Sequence, residues 1–200
     1  MWLRGKIFQD LLSSAAFWDE RFTRGFVPWD LAGVPEAFTR FAAARPACPV
    51  LVPGCGSAYE AAWLAREGWP VRAIDFSASG VEAARQQLGA HAACVEQADF
   101  FTYRPPFVPR WIYERAFLCA LPKARWADYA ARMAERLPAG GWLAGCYFLG
   151  ATPKGPPFGI EPEALAALLD PYFVLEGTAP IADSLPVFAG REMWYSWRRR

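Results

Sequence analysis

Three acids, one arginine and a pair of glycines are the residues here whose types and spacing could do chemistry. Gly54 and Gly56 lie in Val50-Leu51-Val52-Pro53-Gly54-Cys55-Gly56-Ser57-Ala58-Tyr59-Glu60. An apolar run, a short glycine turn and a helical stretch over 57–67 succeed one another there. Strand, glycine turn and helix is how nucleotide-type cofactors are held in doubly wound folds. Side-chain-free turn residues let the backbone approach a ligand, and the helix start offers N–H groups. Asp75 ends the next apolar run, Pro70-Val71-Arg72-Ala73-Ile74, roughly 20 residues past the first glycine. An acid at that point suits a ribose, because a carboxylate accepts two hydrogen bonds from a cis-diol. Asp99-Phe100 follows the third expected strand. A carboxylate beside a ring suits an adenine, whose amino group donates and whose face needs cover. Glu114-Arg115 ends the fourth. Arginine stays charged at any relevant pH, so Arg115 can hold an anion but cannot serve as a general base.

Several chemistries are poorly served. The chain has one histidine, His91, placed before the third strand on the edge away from the ligand. It has five cysteines, Cys48, Cys55, Cys94, Cys119 and Cys146, scattered and never spaced as CxxC, so no metal site is expected. No serine–histidine–acid set can be assembled. The phosphate-binding lysine motif is absent. A dinucleotide site needs a third glycine where Tyr59 stands, and the chain has no room for a separate substrate domain.

The elements that must position these residues alternate. Strands are expected over about 48–52, 71–74, 92–95, 111–114, 142–148, 172–175 and 192–197. Helices are expected over about 35–45, 57–67, 79–88 and 122–137, with another opened by Pro162. In the 122–137 stretch Trp126, Tyr129, Met133 and Leu137 share one face. The run 142–148 is apolar throughout, as a central strand covered on both sides should be. Such alternation means an α/β fold, Rossmann-like and doubly wound, with a mostly parallel sheet and helices on both faces. Residues 1–47 read as an N-terminal helical segment, in which Phe8, Leu11, Leu12 and Ala15 have helical spacing. Its aromatic stretch, Trp18 to Trp29, precedes the first strand, where it can fold over a ligand as a lid or simply pack on the sheet.

With 200 residues, one domain spanning 1–200 is expected. The apolar fraction of 54% and charged fraction of 20% are those of a globular chain. A net charge of +1 gives no basic field, so nucleic acid is not an expected partner. Arg198-Arg199-Arg200 reads as a solvated basic run. The longest uncharged run, 137–153, is broken by glycines and reads as a turn and a buried strand rather than a membrane span. No signal peptide is recognisable, and unpaired cysteines fit a cytoplasmic protein with reduced thiols. A monomer is expected.

Together these residues resemble the thiopurine S-methyltransferase family, within the class I S-adenosylmethionine-dependent methyltransferases. The likeness includes Trp18…Pro28-Trp29-Asp30, Leu51-Val52-Pro53-Gly54-Cys55-Gly56, Ile74-Asp75-Phe76-Ser77, Asp99-Phe100-Phe101, Arg115-Ala116-Phe117-Leu118-Cys119-Ala120-Leu121-Pro122 and Gly155-Pro156-Pro157-Phe158. Plant-type thiol and halide methyltransferases share most of these motifs. The resemblance implies a seven-stranded sheet with an antiparallel last strand. It implies that Trp18, Trp29, Gly54, Asp75, Asp99, Phe100 and Arg115 contact S-adenosylmethionine or line its pocket. Gly56 joins them through the turn, and Arg115 is the candidate catalytic residue. Two departures stand out. Phe22 occupies a position where some members have tryptophan, and Glu114 one where aspartate commonly precedes the arginine. The implied function is methyl transfer to a small soft nucleophile, a thiol first, with no metal. A halide or other acceptor is the first alternative. A dinucleotide oxidoreductase or a non-catalytic cofactor-binding protein is the second.

Overall fold

The computed structural model describes residues 14–188 and 190–200. Phe8, Leu11 and Leu12, whose spacing suggested a first helix, lie outside them. Among the described residues two helices precede the sheet, α1 (Ala15–Thr23) and α2 (Glu36–Ala43). Then come β1 (Val50–Pro53), α3 (Tyr59–Arg66), β2 (Val71–Asp75), α4 (Ala78–Leu88), β3 (Val95–Gln97) and β4 (Trp111–Arg115). The chain ends through α5 (Trp126–Arg136), β5 (Trp142–Phe148), α6 (Pro162–Leu169), β6 (Phe173–Pro180) and β7 (Glu192–Arg199).

The seven strands form one sheet in the order β3-β2-β1-β4-β5-β7-β6. Pairings from β3 through β5 are parallel, and β7 runs antiparallel to both β5 and β6. This is the sheet that the alternation and the family resemblance imply. The chain winds outward one way from β1 through β2 to β3, then restarts on the other side at β4. The β1/β4 boundary is therefore the switch point, where ligands bind beyond the carboxyl ends of the strands.

Side-chain alternation along the strands builds two cores. On one face Val50, Val52, Val71, Ala73, Trp111 and Tyr113 pack beneath α2, α3 and α4. On the other Leu51, Ile74, Ile112, Leu143 and Tyr147 meet α5 and α6. The shared face expected in the 122–137 stretch is real, since Tyr129, Met133 and Leu137 are buried in this second core. Indole and phenol groups in these cores carry a polar atom that needs a partner. Trp111 meets that need by donating its Nε1 to the carbonyl of Ala144 at 3.2 Å. At Gly145 the two central strands lie so close that an added Cβ would overlap the backbone of Glu114.

Three expectations change. The third strand covers 95–97 rather than 92–95, because α4 ends at Leu88 and the chain makes a 3-10 turn over Gly89–Cys94 before it joins the sheet edge. The sixth strand continues to Pro180, past a bulge between Leu175 and Gly177. Glycine and proline read as breakers in sequence, but an edge strand tolerates both. The terminal arginines are not simply solvated. Arg199 donates to the carbonyls of Ala134 and Tyr172, each at 3.0 Å, and Arg198 stacks over Trp142.

Candidate functional site

A cavity of about 370 Å³ opens at the carboxyl ends of β1, β2 and β4. Trp18, Trp29, Gly54, Gly56, Asp75, Asp99, Phe100 and Arg115 all line it. The structure thus brings these eight residues to one place, while Glu114, the third acid, stays outside the cavity. His91 is exposed on the turn before β3 and does not line the cavity.

The floor is the glycine turn. Gly54 has φ +58°, a left-handed backbone that disfavours other residues. An added Cβ there would lie 2.5 Å from the ring of Phe117, so the glycine gives room to a side chain of this protein as well as to a ligand. Phe117 also meets Phe100 edge-on at 5.3 Å. The Gly56 amide donates to Asp75 Oδ2 at 3.0 Å, and the Ser77 amide to Asp75 Oδ1 at 2.9 Å. Burial pushes the Asp75 carboxyl above the usual carboxylate range, and those two amides pull it back. An ionised carboxylate has about four acceptor positions, so a pair of hydroxyl donors still finds room. Asp99 Oδ1 accepts the Phe101 amide at 2.9 Å and so caps its own turn, while Phe100 is buried beside it. A buried acid, a second acid next to a ring, and a cavity joining them fit a ribose and an adenine.

The N-terminal segment forms the roof. Trp18 and Trp29 meet edge-on at 5.4 Å, and Phe22 meets Trp29 at 6.0 Å. Two aspartates fasten this segment. Asp19 Oδ1 accepts the Ser77 hydroxyl at 2.7 Å and the Ser79 amide at 3.0 Å. Asp30 accepts the Ser57 hydroxyl. The roof is therefore tied to both turns that carry the floor. Phe22, a departure from some relatives, holds its place by aromatic contact.

The far wall was not read from the sequence. Cys119 packs with Phe148 and Phe188, against which Trp29 and Val187 lie. Phe188 reaches the cavity from the loop before β7, too far along the chain for any motif to connect it. Arg115 pairs with Glu60, Nη1 to Oε1 at 3.2 Å, and Glu60 lines the cavity too. Glu60 reads in sequence as an ordinary acid of a helix start, and only its approach to β4 shows otherwise. Burial holds the Cys119 thiol well above its usual pKa, and nearby Glu114 and Glu192 push the same way.

Glu114 does a different job from Arg115. Its side chain is buried, and Oε1 accepts the amides of Phe117 and Leu118, each at 3.0 Å. Oε2 accepts the Tyr129 hydroxyl at 2.7 Å. The acid thus anchors the loop that carries Phe117, instead of facing a ligand. Burial pushes its carboxyl up to about 7, against the pull of Tyr129, Leu118 and Phe117.

A family model described as thiopurine S-methyltransferase matches residues 13–200. The chain belongs to the thiopurine S-methyltransferase family. It is 28% identical to the thiopurine S-methyltransferase of Pseudomonas putida, over 72% of this chain and 77% of that one. It is also 28% identical to the probable thiol methyltransferase 2 of Arabidopsis thaliana, over 82% and 77%. Its fold matches the Burkholderia thailandensis 1,6-didemethyltoxoflavin-N1-methyltransferase, solved with 1,6-didemethyltoxoflavin and S-adenosylhomocysteine. That match has a TM-score of 0.75 at 17% identity, covering 97% of this chain and 89% of the other. As a member of the family this protein is an S-adenosylmethionine-dependent methyltransferase, and the dinucleotide and non-catalytic alternatives fall away. Among the described residues no group of three or more His, Cys, Asp or Glu is placed to hold a metal. No described helix is long and apolar enough to cross a membrane.

Two outcomes follow from the acids. Asp75→Ala should weaken S-adenosylhomocysteine binding by roughly 1–3 kcal/mol in isothermal titration; equal affinity would remove Asp75 from the site. Glu114 should give stability a pH slope. Its folded pKa, about 7, lies above the ordinary value of 4.5, so the folded state favours the protonated form. The stabilisation is complete below the unfolded pKa and is lost as pH rises through the folded one. The urea-unfolding free energy of the natural protein, relative to Glu114→Gln, should fall by about 2–3 kcal/mol between pH 4.5 and 7.5. A flat difference would show that ionisation of Glu114 costs nothing in the fold.

Proposed function

We propose that this protein methylates a small thiol. The observation that carries the reading is the pairing of an arginine with a cavity that offers no conventional base. Arg115 lines the cavity, while the chain's one histidine is exposed at the opposite edge of the sheet. Arginine does not accept a proton; of the wall acids, Asp75 and Asp99 go to the cofactor, Asp30 is held by Ala32 and Ser57, and Glu60 is paired with Arg115 and Tyr113. An acceptor that ionises by itself therefore suits this site. A thiol, with a pKa of about 8.5, does so; an alcohol does not. The names of the relatives, thiopurine S-methyltransferase and probable thiol methyltransferase, support the same acceptor.

S-adenosylmethionine, when bound, supplies a methyl group on a sulfonium with a neutral thioether as leaving group. The roles assigned to this chain's residues are supported by their places around the cavity. Asp75 receives the ribose hydroxyls. Asp99 and Phe100 hold the adenine, Asp99 accepting from its amino group and Phe100 covering a face. Gly54 and Gly56 bring the backbone close. Arg115 donates to the acceptor sulfur once its proton has gone to solvent. That sulfur's lone pair would then be free to displace the methyl group that bound S-adenosylmethionine supplies. Such a displacement asks mainly for alignment and exclusion of water. Trp18 and Trp29 contribute rings whose faces favour a cation and whose bulk keeps water out. We assign residues 14–31, including α1, to a lid over the site within a single methyltransferase domain, while α2, later in the expected 1–47 segment, packs in the core.

A methyl-transfer assay over small thiols, thiopurines and halides tests the acceptor. Thiol turnover is expected, and transfer to iodide without transfer to any thiol would replace this reading with the halide one. Arg115→Lys should lower kcat for the thiol by roughly 100-fold, because a point charge does not reproduce an aimed planar donor. Normal turnover in that variant would leave Arg115 a structural ion-pair partner. For the lid, protease cleavage within residues 14–30 should slow at least severalfold when S-adenosylhomocysteine is added. Equal cleavage with and without it would mean that the tryptophans only pack.

A further inference from the structure

Arg115 does not stand alone. Its guanidinium donates to Glu60 Oε1 at 3.2 Å, and the same oxygen accepts the Tyr113 hydroxyl at 3.0 Å. The two charged side chains are only 11% and 10% exposed, so water screens them little. Glu60 comes from the first turn of α3, directly after the glycine turn, where an acid also complements the helix dipole. Other groups face Arg115 from further elements: Tyr113 from its own strand, Cys146 from β5 and Glu192 from β7. Glu192 accepts the Ser184 hydroxyl at 2.8 Å, which places a second carboxylate behind the loop of Phe188. Arg115 Nε is buried and makes no hydrogen bond within the protein.

An uncompensated arginine at this point would bind a thiolate tightly. Tight binding of the ground state does not speed the chemical step. It would also lower the thiol's pKa, and nucleophilicity falls with pKa. A carboxylate fixed against one arm of the guanidinium opposes both effects. It also sets the rotation of a planar fork, and so the direction of the N–H groups that remain.

We propose that Glu60 is a positioning residue for methyl transfer: it aims the remaining donors of Arg115 at the acceptor sulfur and offsets its charge, so that the bound thiol ionises close to its solution pKa. This rests on the thiol reading above. The departure of the thiol's proton to solvent leaves the sulfur lone pair free, and Glu60 itself takes no proton.

The test is the pH dependence of kcat with one small alkyl thiol, since kcat reports ionisation in the enzyme–substrate complex. Glu60→Gln keeps the size of the side chain but removes its charge. Its acidic limb should move down by about one pH unit, with a lower KM for the thiol below pH 7 and a severalfold lower plateau. An acidic limb that coincides with that of the natural protein would overturn the proposal. Glu60→Asp keeps the charge but withdraws it from Arg115. It should leave the limb in place and lower kcat severalfold; an unchanged kcat, or a displaced limb, counts against the role. If Glu60→Gln fails to fold by circular dichroism, the aspartate variant decides alone. Arg115→Ala separates the two readings. If its limb moves up while that of Glu60→Gln stays, only the role of Glu60 fails. If removing Arg115 leaves the limb unmoved, the assignment of Arg115 to the acceptor fails with it.

Discussion

The carboxylate of Asp75 bridges two turns of the chain, accepting the Gly56 amide at 3.0 Å and the Ser77 amide at 2.9 Å. It thereby fixes the loop after β1 relative to the loop after β2. The same Ser77 caps α4 through its hydroxyl, which accepts the Gly80 amide at 3.0 Å, and gives its own proton to Asp19 of α1. One buried acid thus sets the floor of the cavity, the start of a helix and, one bond further, the roof. The acid is costly to bury, and its amide partners offset that cost only in this arrangement. Pulling any of these segments away would strand a carboxylate in a dry site.

A second buried acid does for the far side what Asp75 does for the near side. Glu114 gathers the amides of Phe117 and Leu118, and Phe117 then lies over Gly54. The glycine is needed as much by the protein's own ring as by a ligand. Two loops from strands on either side of the switch point are locked together in this way, and Arg115, next in the chain, is left at the cavity with Glu60.

The near side was legible because its signals are local. An apolar run, a glycine turn and an acid at a set spacing lie within thirty residues of one another, and each limits backbone or burial in a way that leaves a mark on residue type. The run 142–148 was legible for the same reason, since a strand buried on both faces must be apolar. The far side leaves no such mark. Glu60 looks like any acid at a helix start, and Phe188 like any apolar loop residue. Their importance arises from contacts with β4 and β5, distant in sequence, and no spacing rule reaches that far. Glu114 was visible as an unusual residue but not as a loop anchor, because a strand-end acid can point either way. The edges of the sheet were the hardest to bound. There β3 starts late and β6 runs through glycine and proline, since an edge has only one side to satisfy.

The thiols in the walls bear on how such an enzyme lives with its own chemistry. Cys119 borders the cavity, and Cys146 lies on β5 beside Arg115. With the thiol acceptor proposed above, the protein is its own nearest potential acceptor. Burial holds both cysteines far above the usual thiol range, so they stay protonated and poor as nucleophiles. The low dielectric that sharpens the pairing of Arg115 and Glu60 also silences the protein's own sulfur. Selectivity between guest and host is then a matter of solvation: a thiol arriving from water can bring its charge with it, while one built into the wall cannot acquire any.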